Sequence, residues 1–336
     1  MRILSGVAVA LLILAVVLVG LWFLGPREEV DLTVSIDEDA IAADPIAYLA
    51  AAESDVPDIR EGLEKGIVHA FPQSRAKTPL AIVYAHGFSA SRNEIEPVAR
   101  DVAARLGANL YYMRLAGHGR DGAAMGEVTV NDWVNDMAEA LAVAEELGER
   151  TIVIGTSTGA SLAALAATEP GLRERIDGLV QISPNYRLVD KRTIVLDAPF
   201  AERLATLFEG EERGFEPENE LHGANWTSRY PTRAIVTMAA LTREVRGRTF
   251  EAIRVPTLFL FDEGDRVVDH HYTRRVARRW GSAYGTRVNI ELVEGTDDPY
   301  RHVVAGDSLS PSTNGRVTDA IVHWIESLAP HAAPQS

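Results

Sequence analysis

The stretch TIVIGTSTGASLAALA, residues 151–166, decides how this chain folds. Thr151 to Ile154 form a short run of β-branched residues, the pattern of a strand buried on both faces. Ala160 to Ala166 are small, helix-forming residues. Between them Gly155-Thr156-Ser157-Thr158-Gly159 is a G-x-S-x-G pentapeptide, whose glycines allow a sharp strand-to-helix turn without a Cβ clash. Such a turn lifts the Ser157 hydroxyl to the carboxyl end of a sheet and aims the free N–H groups of the next helix at developing negative charge. Ser157 is therefore read as a nucleophile.

Outward from this stretch, short apolar runs alternate with amphipathic ones. On the N-terminal side stand GIVHAF from Gly66, LAIVYAHG (80–87), a helical stretch from Asn93 to Leu106, ANLYYMRL (108–115) and a helix from Val130 to Leu147. DGLVQIS (177–183) follows the serine. This βαβ rhythm implies an α/β fold with a mostly parallel central sheet and helices on both faces. After Pro184 the rhythm stops until about Phe250, too long for a structureless loop, so 185–250 is expected to be an inserted helical cap rather than strands. It resumes with TLFLF (257–261), a basic helix from Tyr272 to Trp280, VNIELVEG (288–295) and a last helix from Arg316 to Leu328. The expected units are a core in two parts, 66–184 and 251–330, with the cap between.

Acyl-transfer chemistry at Ser157 needs donors for an oxyanion, a base and an acid. His86-Gly87-Phe88 directly follows the strand LAIVYA, so the backbone N–H of Phe88 is one candidate donor and that of Thr158 the other. His86 itself sits on the oxyanion strand and reads as a structural brace. In hydrolases of this strand–turn–helix kind the chain order is serine, acid, histidine. His302, in the loop DDPYRHVV beyond the last strand, is the expected base. His323 falls inside the final helix, and His270 and His271 open the helix before the last strand. For the acid, the loop DEGDRVVD after TLFLF offers Asp265, with Asp262 as its rival; the acid fixes the imidazole tautomer and stabilises the imidazolium.

The segments HGFSASRNE, RLAGHG, GTSTG, DEGDRVVD and RHVVAGD together resemble the landmarks of the monoacylglycerol lipase and carboxylesterase branch of the α/β-hydrolases. The resemblance covers roughly Ile67 to Leu328. It implies the α/β-hydrolase fold, a nucleophile at Ser157, an acid at Asp265, a base at His302 and oxyanion donors at Phe88 and Thr158. In RLAGHG, Ala116 stands where the family more often has proline, which touches loop rigidity and leaves His118 a structural residue. The cap carries no family signature, so the acyl and alcohol selectivity is not legible in it.

The formal net charge of -15 argues against nucleic acid and anionic surfaces as partners and suits a neutral or cationic substrate, and the expected one is a small to medium, neutral ester. The chain has no cysteine, which excludes disulfides, thiolate metal sites and a cysteine nucleophile. An acyl-enzyme mechanism requires no metal and no organic cofactor. Ile3 to Leu24 carries no charge, and at about 1.5 Å per residue it would cover a bilayer core of roughly 30 Å. Trp22, Phe23 and Leu24 stand where a cleaved signal peptide would have small residues, so 1–26 is expected to be an uncleaved transmembrane anchor with the hydrolase domain on the outer side. Residues 27–65, rich in Asp and Glu, are expected to be a solvated linker with one short helix around Ile46 to Ala52. Two rival functions follow from the same residues. One is a serine aminopeptidase or amidase whose substrate amine meets Glu209, Glu211 and Glu212 in the cap; the other is a membrane-tethered binding or sensor protein without catalysis.

Overall fold

The computed structural model describes residues 2–283 and 285–328, excluding the side chains of residues 2–6, 8 and 18. In chain order the elements are α1 (Arg2–Leu24), α2 (Glu38–Ala43), α3 (Pro45–Ser54), β1 (Gly66–Val68), β2 (Ala81–Ala85), α4 (Val98–Leu106), β3 (Asn109–Tyr112), α5 (Gly122–Met125), α6 (Val130–Leu147), β4 (Thr151–Thr156), α7 (Thr158–Ala166) and β5 (Gly178–Ile182). Then come α8 (Ala201–Glu209), β6 (Glu212–Gly214), α9 (Glu220–Asn225), β7 (Arg229–Pro231), α10 (Thr232–Arg246), β8 (Thr257–Phe261), α11 (His270–Arg279), β9 (Thr286–Asn289) and α12 (Asn314–Ser327).

Seven strands form one sheet in the order β1-β3-β2-β4-β5-β8-β9, parallel except for β1, which runs antiparallel to β3. The strands β2, β4, β5 and β8 are buried at every residue, as their unbroken apolar runs require. Apolar cores lie on both faces. Trp133, Met137, Leu141 and Leu162 from α6 and α7 cover one, and Val98, Val102, Ile321 and Ile325 from α4 and α12 the other. Local chemistry sets the helix ends: α6 opens with a capping box in which Thr129 and Asp132 exchange hydrogen bonds, and α4 closes on Gly107 at φ 61°. From β2 the chain moves outward to β3, then crosses back through α6 to β4 on the other side of β2. The strand order therefore reverses between β2 and β4, and ligands of parallel sheets bind in the crevice at such a reversal.

Several expectations change. The helix expected from Asn93 begins only at Val98, because residues 94–97 are spent in turns that aim Glu94 inward. The last strand is Thr286–Asn289 instead of 288–295, since the chain leaves the sheet edge where Asp262 takes the Leu292 N–H. Within 185–250 there are α8, α9 and α10 as expected, but also an antiparallel hairpin of β6 and β7. Residues 27–65 are not simply solvated: Ile41, Leu49 and Leu63 are buried, and α3 covers the region of the expected short helix. Glu53 holds Arg114 at 2.7 Å, Lys65 reaches Glu139 at 2.6 Å, and Arg60 donates to the Ala224 carbonyl at 3.0 Å, so this segment straps core and cap together.

Among the described residues no helix is long and apolar enough to cross a membrane. The expected anchor thus lacks structural support. Residues 2–24 do form one helix.

Candidate active site

The sheet delivers the site residues to one end. Parallel register pairs Ala85 with Gly155, so the chain leaves β2 through His86, Gly87 and Phe88 beside the point where β4 turns into α7 at Ser157. The turn is sharp: Ser157 has φ 50° and ψ -111°, a conformation L-residues rarely adopt and one that nucleophile turns impose. Both glycines are required by contact. A Cβ on Gly155 would lie 2.7 Å from Ala160 Cα, and one on Gly159 would collide with the carbonyl oxygens of Ala85 and His86.

Asp265, His302 and Ser157, expected as acid, base and nucleophile, are brought into one hydrogen-bonded line. His302 Nε2 lies 3.0 Å from Ser157 Oγ, and His302 Nδ1 lies 2.9 Å from Asp265 Oδ2. The other carboxylate oxygen of Asp265 accepts the N–H groups of Val267 at 2.8 Å and Val268 at 2.9 Å, which fixes its orientation. With an acceptor that cannot donate at Nδ1, the imidazole carries its proton there and presents a lone pair to the serine. Burial disfavours the charged imidazolium, but Asp265 outweighs it, with Asp298 and Glu94 adding to the effect, so the affinity of His302 for a proton rises above the usual imidazole value.

The oxyanion candidates flank the same spot. Thr158 opens α7, so its N–H is among those a helix start leaves without an intrahelical acceptor. Phe88 follows Gly87, whose own N–H is taken by Glu94 at 2.7 Å. The alternatives from the sequence have other occupations. Asp262 is bound to Arg301 at 2.6 Å and accepts the Leu292 N–H at 2.8 Å. His86 accepts the Leu115 N–H on Nε2 at 3.1 Å and is fully buried, which pushes its proton affinity far down. His118 donates to the Ala116 carbonyl and is lowered by burial to about 4. His270 and His271 sit at the start of α11, and His323 is exposed on α12 beside the Asp319 carbonyl.

Reading by position misses two carboxylates. Asp298 Oδ2 accepts the N–H groups of His302 and Val303, both at 2.8 Å, and so shapes the base's loop. Its signal was an acid four residues before the histidine, in the way a side chain caps a turn. Glu94, at the end of HGFSASRNE, is buried against Gly87 and Tyr84; its position seven residues past Gly87 gave no hint that the loop folds back. Among the described residues no cluster of His, Asp or Glu suits a metal ion.

A cavity of about 750 Å³ lies between the cap and the acid loop, lined by Leu188, Ile194, Leu196, Met238 and Tyr272 among others. It touches the hydrogen-bonded line through Asp265 and not through Ser157 or His302.

A family profile described as serine aminopeptidase, S33, matches residues 76–295. No curated protein sequence is similar enough to match. Among solved structures, the chain is similar to a lipolytic enzyme from the metagenome-derived pair LipS and LipT, with TM-score 0.63 and 21% identity over 80% of this chain and 100% of that one. It is similar to a soluble variant of monoglyceride lipase from Saccharomyces cerevisiae, with TM-score 0.57 and 13% identity over 81% and 96%. It is also similar to the monoacylglycerol lipase of Paleococcus ferrophilus, with TM-score 0.56 and 16% identity over 80% and 99%. At such identities these likenesses speak for the fold, while the profile spans the nucleophile turn, the acid loop and the cap between them. The chain belongs to the serine aminopeptidase, S33, family of the α/β-hydrolases.

Proposed function

We propose that the protein is a serine carboxylic-ester hydrolase acting through an acyl-enzyme on a small to medium, neutral, lipid-like ester. The observation that carries this is the unbroken line from Asp265 through His302 to Ser157, at 2.9 and 3.0 Å. His302 takes the proton of Ser157 as its Oγ attacks the ester carbonyl, and the N–H groups of Phe88 and Thr158 receive the oxyanion. The protonated imidazole then gives its proton to the departing alcohol. Water, deprotonated by His302, hydrolyses the acyl-enzyme and regenerates the serine. The cavity under the cap, which reaches Asp265, has Leu188, Ile194, Leu196 and Met238 in its wall beside charged side chains, and the net charge of -15 speaks against an anionic substrate.

The same reading includes an N-terminal anchor with the hydrolase domain outside. Support comes from the uncharged Ile3 to Leu24 and from the exposed apolar residues Ile194, Leu207 and Phe208 of the cap, whose Phe200 N–H meets the Pro26 carbonyl at 2.8 Å. Alkaline extraction of membranes holding the full chain tests it, since release into the supernatant would remove the anchor.

An aminopeptidase or amidase is the second reading, favoured by the description of the matched profile. It needs a carboxylate free to meet an amine. Glu209 is paired with Arg213 at 2.7 Å and Glu211 and Glu212 are exposed outside the cavity; of the carboxylates lining it, Asp197 is paired with Arg246 at 2.6 Å, Asp190 with Arg192 at 2.6 Å, and Asp269 caps α11 through the His271 and Tyr272 N–H groups. The test is hydrolysis of p-nitrophenyl esters of increasing acyl length beside aminoacyl p-nitroanilides, with Ser157→Ala as control. Ester hydrolysis lost in the mutant is the expected result. Faster anilide cleavage would favour the second reading, and inactivity on both would leave a non-catalytic binding protein.

A further inference from the structure

We infer that Glu94 is a positioning residue for the Ser157 reaction, clamping the loop that carries the Phe88 N–H against the nucleophile strand and giving His302 a second negative neighbour besides its acid. The inference rests on the serine-hydrolase reading above and adds to it a group outside the Ser157, His302 and Asp265 line.

Glu94 sits where the three site loops meet. Its Oε2 accepts the Gly87 N–H at 2.7 Å and the Tyr84 hydroxyl at 2.8 Å, and that hydroxyl lies 3.2 Å from Thr156 Oγ1, on the residue before the nucleophile. Its Oε1 and Ser157 Cβ crowd the same side of Gly87: a Cβ built there would lie 2.8 Å from the first and 3.2 Å from the second. Its backbone carbonyl packs on Gly306, four residues past His302, so closely that a Cβ at Gly306 would collide with it; Gly306 has φ 106°. The glutamate is 2% exposed. A buried carboxylate without a cation bonded to it is costly, and a core that needed only packing would place an apolar side chain there.

Two consequences follow from chemistry. By holding the Gly87 N–H, the carboxylate fixes the peptide that precedes Phe88 and hence the direction of the Phe88 N–H, and an oxyanion donor acts only when aimed beforehand. By its charge, it stabilises the imidazolium formed when Ser157 loses its proton. The ionisable groups facing the Glu94 carboxyl are Tyr84 from β2 and His302 from the loop after β9; those facing His302 besides Glu94 are Asp265 and Asp298. Burial, against the pull of the Gly87 N–H, Tyr84 and His302, raises Glu94 to about 7, while Glu94 in turn helps to raise His302, so the two titrations are coupled.

The test compares the full-length wild type with Glu94→Gln and Glu94→Ala from about pH 5 to about pH 9. It uses two readouts, the rate of Ser157 labelling by a fluorophosphonate and the kcat and KM for a p-nitrophenyl ester. Glutamine keeps an oxygen for the Gly87 and Tyr84 donors and removes the charge. Its maximal rate should fall about 3- to 30-fold, and its acid limb should move to lower pH by about half a unit to one unit, because the imidazolium has lost a stabilising neighbour. A residue that only filled space would lower the rate without moving the limb. Alanine removes the clamp as well, and kcat should fall at least about 100-fold while KM stays within about threefold.

An acid limb for Glu94→Gln that coincides with the wild type overturns the inference, even if the alanine protein fails to fold. If the wild type is labelled but cleaves no ester, the substrate reading fails and the labelling rates still decide the role of Glu94. If wild-type Ser157 is not labelled at all, the serine-hydrolase reading and this inference fall together.

Discussion

Replacing Asp265 by asparagine isolates what the acid contributes, because the shape of the side chain is kept. The amide oxygen can retain the N–H groups of Val267 and Val268, now held at 2.8 and 2.9 Å. That leaves the amide NH2 facing His302 Nδ1, 2.9 Å from the present carboxylate oxygen. A donor there forces Nδ1 to be the acceptor, so the imidazole proton moves to Nε2 and points at Ser157 Oγ, 3.0 Å away. The base then has no lone pair for the serine proton. The same tautomer error lowers kcat by about 10⁴ in a protease of unrelated fold. At about 1.36 kcal/mol per tenfold, that amounts to roughly 5.5 kcal/mol of lost transition-state stabilisation. The assay is kcat for a p-nitrophenyl ester, with thermal unfolding measured beside it to show that the fold survives. A loss smaller than about tenfold in a folded protein would refute the assignment of tautomer control to Asp265.

Two further outcomes concern stability. Lys65→Met would leave Glu139, now at 2.6 Å from the ammonium, and Asp136, at 3.7 Å, without their buried cation. Breaking such a pair costs about 3–5 kcal/mol. With an unfolding entropy near 0.6 kcal/mol/K for roughly 300 residues, Tm should drop by about 5–8 °C, and a drop under about 2 °C would mean the cluster is not a strap. Gly159→Ala drives a Cβ into the Ala85 and His86 carbonyl oxygens, which are backbone and cannot swing away. Overpacking of this kind costs about 1–3 kcal/mol or more, so fluorophosphonate labelling and Tm should fall together; a mutant matching the wild type in both would show that the turn has slack.

What the sequence made legible was whatever repeats with a period or sits at a fixed offset from a strand. The buried runs at 81–85, 151–156, 178–182 and 257–261 announce the parallel sheet, because a strand covered on both faces has no polar alternation to blur it. Ser157 and Asp265 stand just past strand ends and His302 in the loop after the last strand, so chain order alone placed them together. Glu94 was invisible, and Asp298 legible only as an acid four residues before His302, for the opposite reason. Their partners are backbone N–H groups of Gly87, His302 and Val303, and no residue type announces an unpaired N–H. The segment 27–65 was misread because its acidic composition describes its exposed face, whereas Ile41, Leu49 and Leu63 are spaced too irregularly to show the buried one. The hairpin of β6 and β7 has only three residues per strand and little alternation to detect.

The loops around Ser157 leave no room for a side chain at their contacts, whereas part of what holds the cap is side chains that can be exchanged. Around Ser157 the loops touch backbone to backbone: Gly159 lies on the carbonyls of Ala85 and His86, and Gly306 on that of Glu94. Any side chain larger than hydrogen at these two points separates the loops, so the relative position of Ser157, His302 and the N–H groups of Phe88 and Thr158 is fixed by features that resist substitution. The cap is joined to the rest of the chain by backbone hydrogen bonds, Thr227 N–H to the Ser89 carbonyl at 2.7 Å and Val189 N–H to that of Val267 at 2.9 Å, and also by side-chain ties: Arg233 to Glu28 at 2.5 Å, and Arg60 to the Ala224 and Trp226 carbonyls at 3.0 and 3.2 Å. Such ties can be exchanged one at a time at modest cost. Substitutions among Leu188, Ile194 and Met238 would therefore reshape the cavity while leaving the Ser157 to His302 distance unchanged, and the acyl-length preference of such variants toward p-nitrophenyl esters shows whether that cavity takes part in substrate choice: an unchanged preference would remove it.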